Sequence, residues 1–147
     1  MLITPHFLTG VVIATQVPEA APAAVLAVAS HYVLDAIPHK DSFDHHYLTW
    51  RNVVLVAIDG LISLALFFWL VGSGHRGYYF GIGALTMLPD LFSLPGVFWK
   101  RWWQLPVVRQ LHYWHTELLQ YSWPEIGWLL GLAPQLVIVG AAIYFLR

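Results

Sequence analysis

His31 and Asp35 form the most distinctive pair of chemistry-bearing residues, four positions apart in an apolar stretch. On a helix this spacing places both side chains on one face, one turn apart. Imidazole nitrogen and carboxylate oxygen arranged in this way can bind zinc or a similar divalent ion. His39 would continue the same face, although Pro38 is expected to bend the chain before it. The structural alternative is a His–Asp hydrogen bond that joins two helices.

A second candidate pair is His112 and His115, whose spacing again predicts one helical face. The alternative is that both are interfacial side chains among aromatic residues. Asp90 follows Pro89 at the end of a predicted helix, where it could bind a metal ion or simply cap the next turn. His6 lies at the start of the first predicted helix. The alternative is that it is an ordinary histidine near the terminus that binds no ligand.

Asp59 lies seven residues beyond Asn52, about 10 Å into a long apolar segment at 1.5 Å per residue. A carboxylate at membrane depth is by default a functional candidate. We therefore expect Asp59, or another of the named carboxylates that binds no metal, to be a catalytic general base. The alternatives are a protonated acid or a salt bridge to Arg51 or Arg109.

The composition narrows the class of protein. Of 147 residues, 59% are hydrophobic and 10% are charged, against about 25% charged in a typical soluble domain. Disorder is excluded by this hydrophobicity, and a disulfide scaffold by the lack of cysteine. A net charge of -1 offers no basic field for nucleic acid. The high hydrophobic and low charged fractions indicate a membrane protein. Its eight histidines outnumber the seven Lys plus Arg residues, which indicates that it contains a polar site.

Apolar helices are predicted at about 6–16, 20–36, 52–72, 78–94 and 124–146, and a short one carries the His112/His115 pair. The first two are shorter than the ~20 residues of a simple span, which indicates a hairpin of short, re-entrant helices. The fold is thus predicted as all-α, a compact polytopic membrane bundle of five to six helices. Ser122 is the expected N-cap of the last span.

Residues 1–147 are expected to form a single integral membrane domain, with no cleaved signal peptide because no positive segment precedes the first helix. The polar loops 37–51 and 95–109 are separated by two spans and so lie on one side. That side carries five of the seven basic residues, which predicts that it is cytoplasmic. Six tryptophans are expected at the same interface: Trp50, Trp99, Trp102, Trp103, Trp114 and Trp123.

This topology brings the candidate ligands to one level of one leaflet. His75 lies on the opposite side and is set aside. The loop residues Asp41, Asp44, His45 and His46 are expected to be solvated, with gating or support of the ligands as the alternative.

Four segments together resemble the small bacterial membrane-bound metal-dependent hydrolases, the YdjM-like proteins, which are loosely similar to zinc-dependent phospholipase C. They are Pro5-His6-Phe7-Leu8-Thr9-Gly10, Ser30-His31-x3-Asp35-x2-Pro38-His39, Leu88-Pro89-Asp90 and His112-x2-His115. The resemblance implies metal binding, and His39 is part of the motif either as a ligand or as a supporting residue. The implied ligands are His6, His31, Asp35, Asp90, His112 and His115. A further acid or histidine shortly after Asp90, frequent in such families, is missing.

The leading prediction is a metal-dependent hydrolase that acts on a phosphoester of a lipid or lipid-linked substrate in the bacterial inner membrane, with its site toward the cytoplasm. One or two divalent ions, zinc by ligand type, are the expected cofactor. Lys100, Arg101 and Arg109 would attract anionic headgroups, at about 1 kcal/mol each near the surface, and the tryptophans would seat acyl chains.

Two other functions fit the same residues. In one, the protein is non-catalytic and the metal or His–Asp network is structural, holding short helices together. In the other, Asp59, Asp35 and Asp90 relay ions or protons, which requires access from both faces. The opposite half of the chain has few polar side chains, so this third function is the least supported.

Overall fold

The computed structural model describes residues 1–40, 49–120 and 126–147, and in these ranges every regular element is helical. The seven α-helices are α1 (Ile3–Gln16), α2 (Ala20–Asp35), α3 (Trp50–Leu70), α4 (Arg76–Leu85), α5 (Leu88–Phe98), α6 (Pro106–His112) and α7 (Trp128–Leu146). Short 3-10 turns cover Ser73–His75 and Lys100–Gln104, and a π-helical segment covers Tyr113–Gln120.

The helix boundaries follow from local chemistry. The turn between α1 and α2 contains Pro18, which has no backbone N–H to donate to a continuing helix. Thr49 caps α3, since its hydroxyl accepts a hydrogen bond from the Asn52 amide at 3.2 Å. Pro89 occupies the first turn of α5, where a missing N–H costs nothing.

Helix α1 is the centre of the fold and packs against α2, α3, α4 and α7. One apolar core joins its residues Phe7, Leu8 and Val11 to Phe67 of α3 and to Ala142 of α7. The crossing of α1 and α4 depends on small residues. A Cβ at Gly10 would lie 2.6 Å from Cγ2 of Thr86 and 2.9 Å from Cα of Gly83. The backbones approach more closely here than any larger residue permits.

Helices α3 and α7 are long and apolar enough to cross a membrane. The Ser73–Leu85 and Leu88–Phe98 helices form a third candidate span, bent by 56° at its break. Large apolar side chains cover the outside of the described helices, as a lipid-facing surface requires, and Leu129 is 89% exposed.

The all-α prediction is confirmed for the described residues, whereas their helix count is seven rather than five or six. The predicted run 78–94 is divided because the chain turns at Thr86 and Met87 before the α5 proline. The predicted start of the last span at Ser122 lies outside the described residues, and α7 begins at Trp128.

Arg76 and Arg147, the two basic residues outside loops 37–51 and 95–109, lie at the same end of α3. Arg76 donates a hydrogen bond to the carbonyl of Val71 and packs over Phe68, and Arg147 lies over the ring of Trp69 at 4.4 Å. Lys40 contacts the beginning of α7 instead, where its amide donates to the Gly131 carbonyl. The polar site described next is near Lys40, at the α7 N-terminal end.

Candidate metal centre

Four side chains from three parts of the chain converge at the C-terminal end of α2. His31 and Asp35 come from the last turns of α2, Asp90 from the first turn of α5, and His115 from the π-helical segment. Each offers a nitrogen or oxygen atom, and these atoms all lie within 4.8 Å of one another. The set could hold a metal ion.

The distances within this group match the edges of a small coordination polyhedron. Nε2 of His31 lies 2.9 Å from Nε2 of His115, and both lie within 3.1 Å of Oδ2 of Asp35. Oδ1 of Asp90 lies 3.6 Å from Nε2 of His31 and 3.5 Å from Nε2 of His115. A tetrahedral zinc site with bonds of about 2.0–2.1 Å has ligand-to-ligand edges of about 3.3–3.4 Å. The measured distances lie on both sides of that value, and the set could hold a metal ion.

The second oxygen of Asp35 faces a different group. Oδ1 accepts a hydrogen bond from the Met1 amino group at 2.9 Å and lies 3.1 Å from Nε2 of His6. Nε2 of His39 lies 3.9 Å from the same oxygen. The carboxylate therefore has His31 and His115 on one side and His6 and His39 on the other, and it is fully buried between them.

Two of these histidines are held by specific contacts. Nδ1 of His39 lies 2.8 Å from the Ile37 carbonyl, which can only accept, so this nitrogen carries the proton. The other ring nitrogen, Nε2, faces Asp35. The His6 ring stacks on the His31 ring at 4.2 Å.

The outer nitrogens of the two stacked rings are unusual. Nδ1 of His6 and Nδ1 of His31 are buried with no hydrogen-bond partner among the described residues. Leaving a buried polar atom unpaired costs about 1–3 kcal/mol. A histidine that binds a metal ion ordinarily donates its other ring N–H to an acceptor, and the described residues supply none for these two rings.

The four side chains of the centre differ in exposure. The side chains of His31 and Asp35 are inaccessible and that of His115 is 3% exposed, whereas Asp90 is 31% exposed. Asp90 also lines an apolar cavity of about 690 Å³ between α1, α3, α4 and α5. A smaller cavity of about 180 Å³ borders His115, with Tyr32, Ser93 and His112 among its lining residues.

The predicted general base, Asp59, contacts the beginning of α1. Its Oδ2 accepts hydrogen bonds from the amides of Ile3 and Thr4, and its Oδ1 accepts from the Thr4 hydroxyl at 2.6 Å. These are donors that a helix leaves unsatisfied in its first turn, and a negative charge there is favourable. Asp59 thus fixes the start of the helix that carries His6. Its assignment as a catalytic base stays a prediction.

His112 does not join the other predicted ligands. Its ring packs on Trp103 at a centroid distance of 4.1 Å, whereas His115 faces Asp35. The physical reason is that His112 ends α6 and the chain continues as a π-helix. A π-helix has wider turns, with i→i+5 hydrogen bonds, so the two side chains are offset from one another more than in an α-helix, although both border the smaller cavity.

Gln135 was missed by sequence reasoning, although it connects the site to α7. Its Oε1 accepts a hydrogen bond from the Leu2 amide, and its Nε2 donates to the carbonyls of Lys40 and Gly131. It thereby ties the segment after His39 to the start of α1. The available signal was the presence of a side-chain amide inside an otherwise apolar 19-residue helix.

The structure brings together His6, His31, Asp35, His39, Asp90 and His115 of the predicted ligands. The predicted solvated loop group, Asp41, Asp44, His45 and His46, lies outside the described residues.

Comparison with known proteins adds no relative: no protein-family model matches the chain, and neither does any curated protein or solved structure.

Proposed function

We propose that the chain is a membrane-embedded metal-dependent hydrolase that cleaves a phosphoester of a lipid or lipid-linked substrate. The observation that carries the proposal is the convergence of His31, Asp35, Asp90 and His115 within 4.8 Å, next to helices long enough to span a bilayer. The resemblance to the YdjM-like hydrolases supports the same activity.

Zinc is the ion that this donor set favours, because imidazole nitrogens and a carboxylate oxygen are among its usual ligands. Such an ion supplies a Lewis acid and a nucleophile that is active near neutral pH. His31, His115 and Asp35 would hold it, since they are the most buried and have the shortest mutual distances. His6 and His39 would orient the second oxygen of Asp35 or hold a second ion.

Asp90 is the better placed of the two candidate general bases. It is partly exposed, lies farther from the two histidine nitrogens than Asp35 does, and borders the larger cavity. Asp59 instead accepts three hydrogen bonds from the start of α1 through its carboxylate. We propose that Asp90 takes the proton, and that Asp59 positions α1 and His6.

The orientation of the site is also proposed. The basic residues of loops 37–51 and 95–109 favour a cytoplasmic site in a bacterial inner membrane. Lys100 and Arg101 are exposed in the 3-10 turn after α5, where they can meet anionic headgroups.

One observation favours a second candidate, a structural metal in a non-catalytic membrane protein. Four protein ligands would close a tetrahedral site, and a closed site is typical of structural zinc. The exposure of Asp90 argues against closure, because with this side chain as the base the fourth coordination position is left to water or substrate.

The experiment is a metal and activity assay on the purified protein in lipid nanodiscs. We expect stoichiometric zinc by mass spectrometry and release of phosphate or a phosphorylated headgroup from lipid phosphoesters. Both should be lost in His31→Ala and kept in His75→Ala, because His75 is exposed and lies outside the centre. Bound zinc without hydrolysis of any phosphoester would favour the structural candidate.

A further inference from the structure

The two parts of the chain that supply Asp90 and His115 are joined by one short connection. Asp90 lies in the first turn of α5, and His115 lies in the π-helical segment that follows α6. Between the end of α5 and the start of α6 the chain forms the 3-10 turn Lys100–Gln104. This turn packs on α5 and on α6. The position of His115 relative to Asp90 therefore depends on how the 3-10 turn sits on α5.

Trp103 fixes the 3-10 turn to α5. A Cβ at Gly96, near the end of α5, would overlap Cε2 and Cζ2 of the Trp103 indole and would lie 2.5 Å from its Nε1. The indole therefore occupies the space that a side chain at position 96 would fill. Among the described glycines, Gly96 leaves the least room for a Cβ. Glycine weakens a helix interior relative to alanine, and this close approach explains its presence here.

Two further contacts surround this packing. Nε1 of Trp102 donates a hydrogen bond to the Phe92 carbonyl at 3.0 Å, which joins the same turn to the same helix. The Trp103 indole also packs on His112, the last residue of α6, at a centroid distance of 4.1 Å. His112 borders the smaller cavity together with His115. Trp103 thus lies between α5 and the end of α6, at the edge of the metal centre.

We propose that Trp103 is a positioning residue for the metal centre. Its indole, packed on Gly96, holds the 3-10 turn and α6 at the distance from α5 at which His115 and Asp90 face the same ion. This inference rests on the proposed metal centre and adds to it a residue outside the four converging side chains. The alternative is that the packing of Trp103 on Gly96 stabilises the fold without affecting the metal.

The ligands of a metal ion have little freedom to follow a shift of the turn. Zinc bonds of about 2.0–2.1 Å tolerate deviations of about 0.2 Å. Helix α6 has seven residues and is about 10 Å long at 1.5 Å per residue, so a displacement of its start is carried to its end. The contact between Trp103 and Gly96 is separate from the His112 ring, and we expect it to persist when that ring is removed.

Zinc titration of the full-length protein in lipid nanodiscs tests the proposal. Gly96→Ala adds one methyl group where the indole lies, and we expect zinc affinity to fall at least about tenfold, as on loss of an outer partner. Gly81→Ala is the matched control, because a Cβ there meets no atom within 4 Å. Adding Trp103→Phe to Gly96→Ala should restore most of the lost affinity, since the smaller ring leaves room for the methyl group.

A second measurement reports the spacing of α5 and α6 without metal. The chain has no cysteine, so a pair of cysteines can be introduced at chosen positions. Leu88 of α5 and Leu111 of α6 are exposed and line the smaller cavity. With a chelator present, a short thiol-specific cross-linker should join Leu88→Cys to Leu111→Cys. The yield should fall when Gly96→Ala is added, and it should recover when Trp103→Phe is added as well.

The outcomes separate the positioning role from the metal centre itself. Zinc binding in the wild-type protein with equal affinity in Gly96→Ala would overturn the positioning role alone, even if the Tm of the variant decreases. Absence of zinc from the wild-type protein would contradict the metal centre and this inference with it. Trp103→Ala removes the indole without adding a group, and it should weaken zinc binding similarly. It replaces Gly96→Ala in both measurements if that variant does not fold.

Discussion

Nε2 of His31 and Nε2 of His115 lie 2.9 Å apart, although 84 positions separate the two residues in the chain. Both nitrogens also face Oδ2 of Asp35. Two imidazoles that direct the same ring atom at each other and at a carboxylate need a proton or a cation between them. A divalent ion satisfies all three atoms at once, which is why this contact is central to the proposed site.

The two histidines near the π-helical segment should respond differently to substitution. His115→Ala removes a ligand, and we expect metal affinity to fall by more than the ~10–100-fold that loss of an outer partner costs. His112→Ala should keep the wild-type metal content, because its ring packs on Trp103 instead. Metal titration of the two purified variants distinguishes them. A larger loss in His112→Ala would contradict the geometry.

Metal removal should lower the stability of the fold. An ion that binds only the folded chain stabilises it by about 2.7 kcal/mol at a free concentration 100 times its Kd. We therefore expect a chelator to lower the Tm of the wild-type protein in detergent. His31→Ala, already without metal, should show no further decrease. A chelator effect of equal size in both proteins would mean that the stabilising ion lies elsewhere.

The contact between Asp59 and Thr4 should contribute to stability. Asp59→Asn exchanges one carboxylate acceptor for a donor, and we expect the free energy of unfolding to decrease by about 1–3 kcal/mol. Thr4→Val should have a similar effect, and the double variant should cost less than the two single changes together. The measurement is a double-mutant cycle of denaturant unfolding. Additive costs, with hydrolysis lost in Asp59→Asn alone, would instead support Asp59 as the catalytic base.

The crossing of α1 and α4 should be sensitive to a single methyl group. Gly10→Ala places a Cβ 2.9 Å from the Cα of Gly83, and overpacking of this kind costs about 1–3 kcal/mol. Gly81→Ala is the matched control on α4, because its Cβ would meet no atom within 4 Å. Thermal unfolding should show a decreased Tm for the first variant alone. Equal Tm values would contradict the close approach.

The fold was predictable from the sequence where the apolar pattern is strong. The helical class and the boundaries of α1, α2 and α3 agree with the sequence to within a few residues, because proline and polar loops delimit them. The number of helices was not predictable. The break after Leu85 has no proline at the break itself, and a π-helical segment has no distinctive pattern of apolar residues.

The site was predictable in its residue types and less so in its contacts. The spacing of His31 and Asp35 identified one face of α2, and the structure places them 3.1 Å apart. The different surroundings of His112 and His115 depend on the local helix type, which the spacing cannot reveal. The role of Gln135 depends on tertiary contacts with Leu2 and Lys40, far away in the chain.

The most direct measurement is an anomalous-scattering map, at the zinc absorption edge, of crystals grown from the protein purified with its metal. The expected result is a peak about 2.0–2.1 Å from Nε2 of His31 and Nε2 of His115 and within bonding distance of the Asp35 carboxylate. Fully occupied crystals with no peak among these three side chains, or with a peak at another site, would contradict the proposed metal centre.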